Sequence, residues 1–77
     1  MRIKTICSNA VAVETSYKNY LFSYGLLVAV YNYNTGILNV CDNHYSRTTA
    51  RHYNKWISEY KIYAEEKAVS RRFIELV

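Results

Sequence analysis

Four side chains that can ligate a metal ion lie close together in the middle of the 77-residue chain. They are Cys41, Asp42, His44 and His52. A structural zinc site normally uses two closely spaced ligand pairs, whereas this run supplies only one, Cys41 with His44. His52 falls in a predicted helix and Cys41 in a predicted strand, so nothing in the sequence brings all four together. We therefore predict no metal site and no cofactor.

The same region offers groups for acid–base and nucleophilic catalysis. Ser46 carries a hydroxyl group suited to act as a nucleophile, with His44 or His52 as its base. A metal-independent ribonuclease would instead use a histidine to move protons, and Arg47 and Arg51 to stabilise the phosphorane. Neither a Gly-x-Ser-x-Gly turn nor a glycine-rich phosphate loop accompanies these residues. We interpret Ser46 as a helix cap and His52 as part of a polar helix face, and we predict that the protein is not an enzyme.

Three basic residues recur at every fourth position and therefore share one side of a helix. They are Arg47, Arg51 and Lys55, with Asn54 beside them. Glu59 is the only acid between residues 43 and 64. Such a ridge suits phosphates or an acidic groove on another protein, although a plain solvated helix face has the same pattern. We predict these four as binding residues.

Tyrosine makes up nine of the twelve aromatic residues. Tyr31 and Tyr33 alternate along a strand with Val30 and Asn32. If a helix covers one face of the sheet, tyrosines on the other face must be exposed, paired or covered by a second subunit. Tyrosine-rich sheet faces are typical protein-binding surfaces. We predict Tyr31 and Tyr33 as further binding residues, and both core packing and homodimerisation remain open for them.

The elements that position these groups begin with strands. Hydrophobic patterning predicts strands near 2–7 and 10–15, a loop over 16–19, an extended segment at 20–22 and a bend at 23–25. The run 26–31 is apolar on both faces and should be a central strand. Asn34 and Gly36 tolerate positive φ, so 26–31 should form an antiparallel hairpin with 37–42.

A helix from about Arg47 to Tyr60 follows, because apolar residues recur at helical period. This stripe consists of Thr49, Tyr53, Trp56, Ile57 and Tyr60. The segment 61–69 should form an edge strand, and Ser70 should cap a short C-terminal helix. The fold class is α+β, with a small antiparallel sheet of three to five strands and one main helix packed on one face. Its core should contain Val28, Val30 or Ala29, Leu38, Val40, Trp56 and Ile57.

Composition indicates a single domain over 1–77. The chain is 51% hydrophobic with two glycines and no proline, which excludes a multidomain enzyme, a disordered tail and a disulfide-dense miniprotein. A net charge of +4 excludes an acidic DNA mimic and suits nucleic acid or an acidic protein patch as partner. The apolar runs are too short to span a membrane, and no signal peptide is expected. We therefore expect a cytoplasmic protein with no membrane partner and with Cys7 and Cys41 reduced.

Two runs carry a resemblance to a known family. They are Tyr45-Ser46-Arg47-Thr48-Thr49-Ala50-Arg51-His52 with Trp56 four residues on, and Ser23-Tyr24-Gly25 followed by Val28-Ala29. The pattern Y-S-R-T-T-x-[KR]-H resembles an uncharacterised domain of phage and plasmid proteins from Gram-positive bacteria, and a similar domain occurs in inhibitors of CRISPR nucleases. The resemblance covers residues 23–57. It implies a mobile-element origin and a fold, and it carries no catalytic role.

These observations predict a small phage or plasmid protein that inhibits a host factor by stoichiometric binding. The resemblance implies a CRISPR–Cas effector, or its ribonucleoprotein, as the target inside the host cell. The alternatives are a nucleic-acid-binding accessory protein and a small metal-independent ribonuclease.

Overall fold

The computed structural model describes residues 1–41 and 47–70, and this part of the chain forms six strands and one helix. In chain order they are β1 (Arg2–Cys7), β2 (Ala10–Glu14), β3 (Lys18–Ser23), β4 (Leu26–Asn32), β5 (Ile37–Cys41), α1 (Arg47–Tyr60) and β6 (Glu66–Ser70). The α+β class and the helix bounds are confirmed. The prediction of three to five strands is wrong, because all six strands join one sheet and strands dominate the fold.

The strands lie in the sheet in the order of the sequence. Neighbours from β1 to β5 pair antiparallel, including the predicted hairpin between β4 and β5. β6 pairs with β5 in parallel, so the expectation of a wholly antiparallel sheet is wrong at this edge. The reason is α1, which carries the chain back along the sheet so that β6 starts from the same end as β5.

The predicted loop over 16–19 is too long, because β3 begins at Lys18. Asn19 is a polar residue of that predicted loop, yet its side chain is completely buried. Its amide has partners in the core, which removes the cost of burying a polar group. The loop prediction therefore fails at Lys18 and Asn19.

Two short turns shape the sheet. The β3–β4 turn consists of Tyr24 and Gly25, both with positive φ of 52° and 77°. In the β4–β5 connection, the Asn32 side chain accepts hydrogen bonds from the N–H groups of Asn34 and Thr35, at 2.9 and 3.2 Å. Gly36 has a φ of 72°, and a Cβ there would lie 3.1 Å from the Glu65 side chain. The predicted hairpin is therefore confirmed, with positive φ at Gly36 but not at Asn34.

The main core lies between α1 and one face of the sheet. Trp56 is fully buried, and so are Ala10, Ala12 and Ala29, whose small side chains leave room for its indole. The predicted core residues Val28, Ala29, Val30, Leu38, Val40 and Trp56 are all buried, whereas Ile57 is half-buried at the margin. The predicted cap at Ser46 and the predicted helix after Ser70 lie outside the described residues.

Candidate functional site

The basic face of α1 consists of Arg47, Arg51 and Lys55, with Asn54 beside it. All four side chains are exposed, as the four-residue spacing predicts. Within residues 1–41 and 47–70, neither Arg47 nor Arg51 makes a hydrogen bond or an ion pair. Their guanidinium groups are therefore available to a partner.

The charges on α1 run against the helix dipole. The first turn contains no acid and begins with Arg47, and the last turn contains no basic residue but does contain Glu59. A helix is stabilised by the opposite arrangement, because its N-terminus carries partial positive charge and its C-terminus partial negative charge. The position of Arg47 therefore does not arise from a gain in helix stability.

Glu59, the single acid of α1, is engaged with the sheet. Its carboxylate lies 2.8 Å from Nζ of Lys4 on β1, and both side chains remain partly exposed. This hydrogen bond and the ion pair raise the pKa of Lys4 and lower that of Glu59. The lysine also lies 5.6 Å from the centre of the Tyr60 ring. The one negative charge of the helix is thus bound to Lys4 of β1 and also acts on Lys55, whereas Arg47 and Arg51 have no such partner among the described residues.

Tyr31 and Tyr33 lie on the side of the sheet that α1 covers, so the open-face alternative is wrong for both, and the core-packing alternative is correct for Tyr31. Tyr31 pairs with Asn19 and Leu38 across the sheet and packs against the core under the helix. The two rings meet edge to face, with centroids 5.3 Å apart. Tyr31 and Tyr33 do lie on the same face of the sheet, as their alternation predicts. Which face the helix covers cannot be read from this alternation.

A chain of hydrogen bonds runs from Trp56 to the surface. The indole N–H donates to Oδ1 of Asn19 at 3.0 Å, and Nδ2 of Asn19 donates to the Tyr33 hydroxyl at 3.1 Å. That hydroxyl donates to Oε2 of Glu14 at 2.6 Å. Burial, and then the bond to Glu14, raise the pKa of Tyr33 to about 12. Tyr33 is therefore engaged in fixing the helix to the sheet.

His52 faces the sheet, so its assignment to the polar helix face is wrong. Its ring is 4% exposed, and Nδ1 lies 2.8 Å from Oγ of Ser23, which is 2% exposed. Oγ1 of Thr49 lies 3.2 Å from the same serine oxygen. His52 is polar and therefore does not belong to the apolar stripe of α1. Its spacing from Thr49 and Trp56 nevertheless places it on the buried side of the helix.

The contact between Ser23 and His52 has the distance of a nucleophile and its base. Both groups are buried between the β3–β4 turn and α1, so a substrate would have to displace one of these elements to reach them. The pair fixes the turn to the helix. Ser46, His44 and Asp42, which sequence reasoning considered for catalysis or metal binding, lie outside the described residues.

Tyr24 is a surface feature that sequence reasoning missed. Its side chain is 55% exposed, and its ring centre lies 5.6 Å from that of His52 in a tilted arrangement. Its φ of 52° is rare for a bulky residue. The signal in the sequence is the pair Tyr24-Gly25 where a tight hairpin turn usually has Asn-Gly.

The sheet face turned away from α1 is largely apolar. Ile3, Val13, Tyr20 and Val30 form one row across four strands. A groove of about 510 Å³ runs over this face, lined by Met1, Val13, Thr15, Tyr20, Phe22 and Leu27. The aromatic residues of this second face are thus Tyr20 and Phe22 rather than Tyr31 and Tyr33.

Metal and disulfide chemistry find no support in the described part of the chain. Residues 1–41 and 47–70 contain no cluster of three His, Cys, Asp or Glu side chains placed to hold a metal ion. Cys7 and Cys41 are not joined in a disulfide; the first is half-buried and the second fully buried. Over the same residues, no helix has the length and hydrophobicity needed to cross a membrane.

The comparison with protein families gives one match. The model described as "Family of unknown function (DUF8033)" matches residues 2–75, almost the whole chain. No curated protein and no solved structure matches the chain.

Proposed function

Because the chain belongs to the DUF8033 family, whose function is unknown, we propose a function from its own surfaces. The protein is a stoichiometric binding protein that inhibits a host factor by covering an anionic surface on it with the basic face of α1. It acts by occupancy and performs no chemical step.

The observation that carries this proposal is a set of cations that the fold does not use. Arg47, Arg51 and Lys55 are exposed, and Arg47 lies in the first turn of α1, where a cation opposes the helix dipole. The opposite side of α1 is committed to the core through Trp56, so the basic face is held on a rigid element. Exposed cations on a helix docked in this way, two of which (Arg47 and Arg51) have no ion-pair partner among the described residues, suit a partner with complementary charge.

The absence of a chemical step is supported by where the reactive groups lie. Among the described residues, the pair with the distance of a nucleophile and a base is Ser23 with His52, and both are buried. A binding protein needs no catalytic centre, because a tightly held partner is blocked as long as the complex lasts.

The identity of the host factor comes from the resemblance over residues 23–57. It points to a phage or plasmid origin and to a CRISPR–Cas effector as the target. Such an effector carries nucleic acid and therefore exposes phosphate groups, which guanidinium groups bind well. The charge of the basic face is consistent with that target.

The test reverses the charge of the basic face and measures protection of phage from host defence. The triple variant R47E/R51E/K55E should keep its helix by circular dichroism and lose protection in plaque counts on a strain with active CRISPR–Cas immunity. A control triple, K18E/K61E/K67E, changes the net charge equally at residues outside the basic face; it removes the contact of Lys67 with the Tyr53 ring, and it should still protect.

Two results would overturn the proposal. Full protection by R47E/R51E/K55E would show that the basic face is a solvated helix face. No protection by the parent protein against any tested effector type would remove the host-defence target.

A further inference from the structure

Tyr24 lies at the border of the basic face of α1. Its ring contacts His52, and Lys55 is the neighbour of His52 one turn further along the helix. Arg51 precedes His52 and lies on the outer side. More than half of the Tyr24 side chain is exposed, at 55%. The Tyr24 ring thus contacts α1 at His52, the residue that follows Arg51 and lies one turn before Lys55.

Neither the turn nor the core requires a tyrosine at this position. Ser23 and Leu26 pair across the hairpin, so Tyr24 and Gly25 are the two residues of a tight turn, both with positive φ. Asparagine is the residue that adopts this conformation most readily at the first position. A bulky residue in left-handed conformation is strained, and strain of this kind clusters at functional sites.

The ring is presented on a rigid support. The backbone N–H of Tyr24 donates to the carbonyl oxygen of Asn9 in the neighbouring turn, at 2.8 Å. The preceding residue, Ser23, is hydrogen-bonded to His52 of α1 at 2.8 Å. The turn therefore cannot swing away from the helix without breaking the buried hydrogen bond between Ser23 and His52, and this bond holds the turn against α1.

A fixed aromatic ring beside spaced cations has the composition of a site for an unpaired nucleic-acid strand. Cations bind the phosphates, and a base stacks on the ring irrespective of sequence. In a duplex the base faces are hidden in the stack, so a duplex would use the cations alone. Binding of an acidic protein patch would likewise depend mainly on Arg47, Arg51 and Lys55.

We propose that Tyr24 and the basic face together bind a single-stranded nucleic acid, with the phosphates on Arg47, Arg51 and Lys55 and one base stacked on Tyr24. This inference rests on the proposed function of the basic face. It specifies the part of the host factor that the protein binds, which is the exposed strand of a ribonucleoprotein.

Fluorescence polarisation of the full chain with a labelled 15-nucleotide oligo(U), and with a duplex of equal length, tests the proposal. Tyr24→Asn should keep the fold, since asparagine suits the turn, yet bind the single strand about 5- to 150-fold more weakly. Tyr24→Phe should bind like the parent because it keeps the ring. Tyr17→Asn is the control, since Tyr17 is equally exposed, at 60%, at the opposite end of the sheet.

The outcomes separate this inference from the function on which it rests. Equal affinity of Tyr24→Asn and parent, or tighter binding of the duplex than of the single strand, overturns the role of Tyr24. Absence of oligonucleotide binding at about 50 mM salt, where phosphate contacts are strong, overturns it too. If phage protection is still lost in R47E/R51E/K55E in that case, the partner is an acidic protein surface and the proposed function survives.

Discussion

The two sides of α1 differ in burial and in whether their polar side chains have partners within the fold. On the inner side, Thr49, His52 and Trp56 are buried, and the sheet supplies a hydrogen-bonding partner to each. On the outer side, Arg47 and Arg51 are exposed and have no ion-pair partner among the described residues. The inner side explains why the helix docks where it does, whereas folding gives no reason for the charges of the outer side.

The contrast between the two sides separates residues that the fold requires from residues available to a partner. A polar residue that the fold needs has a partner, since an unpaired buried polar group is costly. Within the described residues, no buried side-chain nitrogen or oxygen lacks a hydrogen bond. Residues that the fold does not need are free to serve a partner molecule, and on α1 they are the cations. Substitutions on the two sides should therefore have separable effects.

The largest effect is expected from Trp56→Ala on the inner side. The substitution leaves a cavity and removes the hydrogen bond to Asn19, and it should cost about 3–5 kcal/mol of unfolding free energy. That is a large part of the stability of a domain of this size. Urea unfolding followed by circular dichroism measures it, with Asn54→Ala on the outer side as a control within about 0.5 kcal/mol. A cost below about 1.5 kcal/mol for Trp56→Ala would contradict the packing described.

A smaller loss is expected from Ser23→Ala. It removes the hydroxyl from Nδ1 of His52 in a buried site, at a cost of about 1–3 kcal/mol. Ser58→Ala, the same change on the exposed side of α1, should be nearly neutral. If urea unfolding shows equal stability for both variants, the contact between turn and helix contributes nothing.

Tyr33→Phe should cost about 0.5–1.5 kcal/mol at neutral pH, because it removes the hydrogen bonds with Glu14 and Asn19. The substitution should also change how the stability of the fold depends on pH in alkaline solution. With its pKa raised to about 12, folded Tyr33 keeps its proton where the unfolded residue, at 10.0, loses it. Stability therefore falls as pH rises from about 10 towards 12.

Unfolding midpoints between pH 8 and 11.5 should fall less steeply for Tyr33→Phe than for the parent. A residual fall is expected in the variant, because burial also raises the pKa of Tyr53 and Tyr60. Parallel curves for the two proteins would contradict the role of the Tyr33 proton.

The smallest effect is a gain of stability on the outer side. Arg47 lies in the first turn of α1, where a cation opposes the dipole, so Arg47→Glu should stabilise the fold by about 0.3–1 kcal/mol. Arg47→Gln should fall between the two, and the differences should shrink in high salt. A loss of stability in Arg47→Glu would show that the arginine serves the fold, which would weaken the contrast between the two sides.

Local periodicity and turn chemistry predicted much of this architecture. The 3.6-residue stripe around Trp56 gave the bounds of α1, and Asn34 with Gly36 marked the β4–β5 hairpin. Both signals lie within a few residues of the structure that they specify. Exposure of Arg47, Arg51 and Lys55 followed from the same periodicity.

Features that depend on distant contacts were missed. Asn19, Ser23 and His52 look solvent-facing by polarity, and only the assembled fold shows the partners that bury them. The direction of β6 depends on the path taken by α1, and the covered face of the sheet decides where Tyr31 and Tyr33 lie. Tyr24 was visible as a turn residue, but its place beside the basic face required the contact with His52.

The order of the strands also has a consequence for how the protein folds. From β1 to β5 each strand pairs with the one just before it, so these contacts are local in sequence and should form quickly. β6 must instead find β5 across the whole length of α1, which is a loop closure over more than twenty residues. We expect the five-stranded part to assemble first as the chain leaves the ribosome. The edge of β5 would then stay unpaired until α1 docks and β6 pairs with β5.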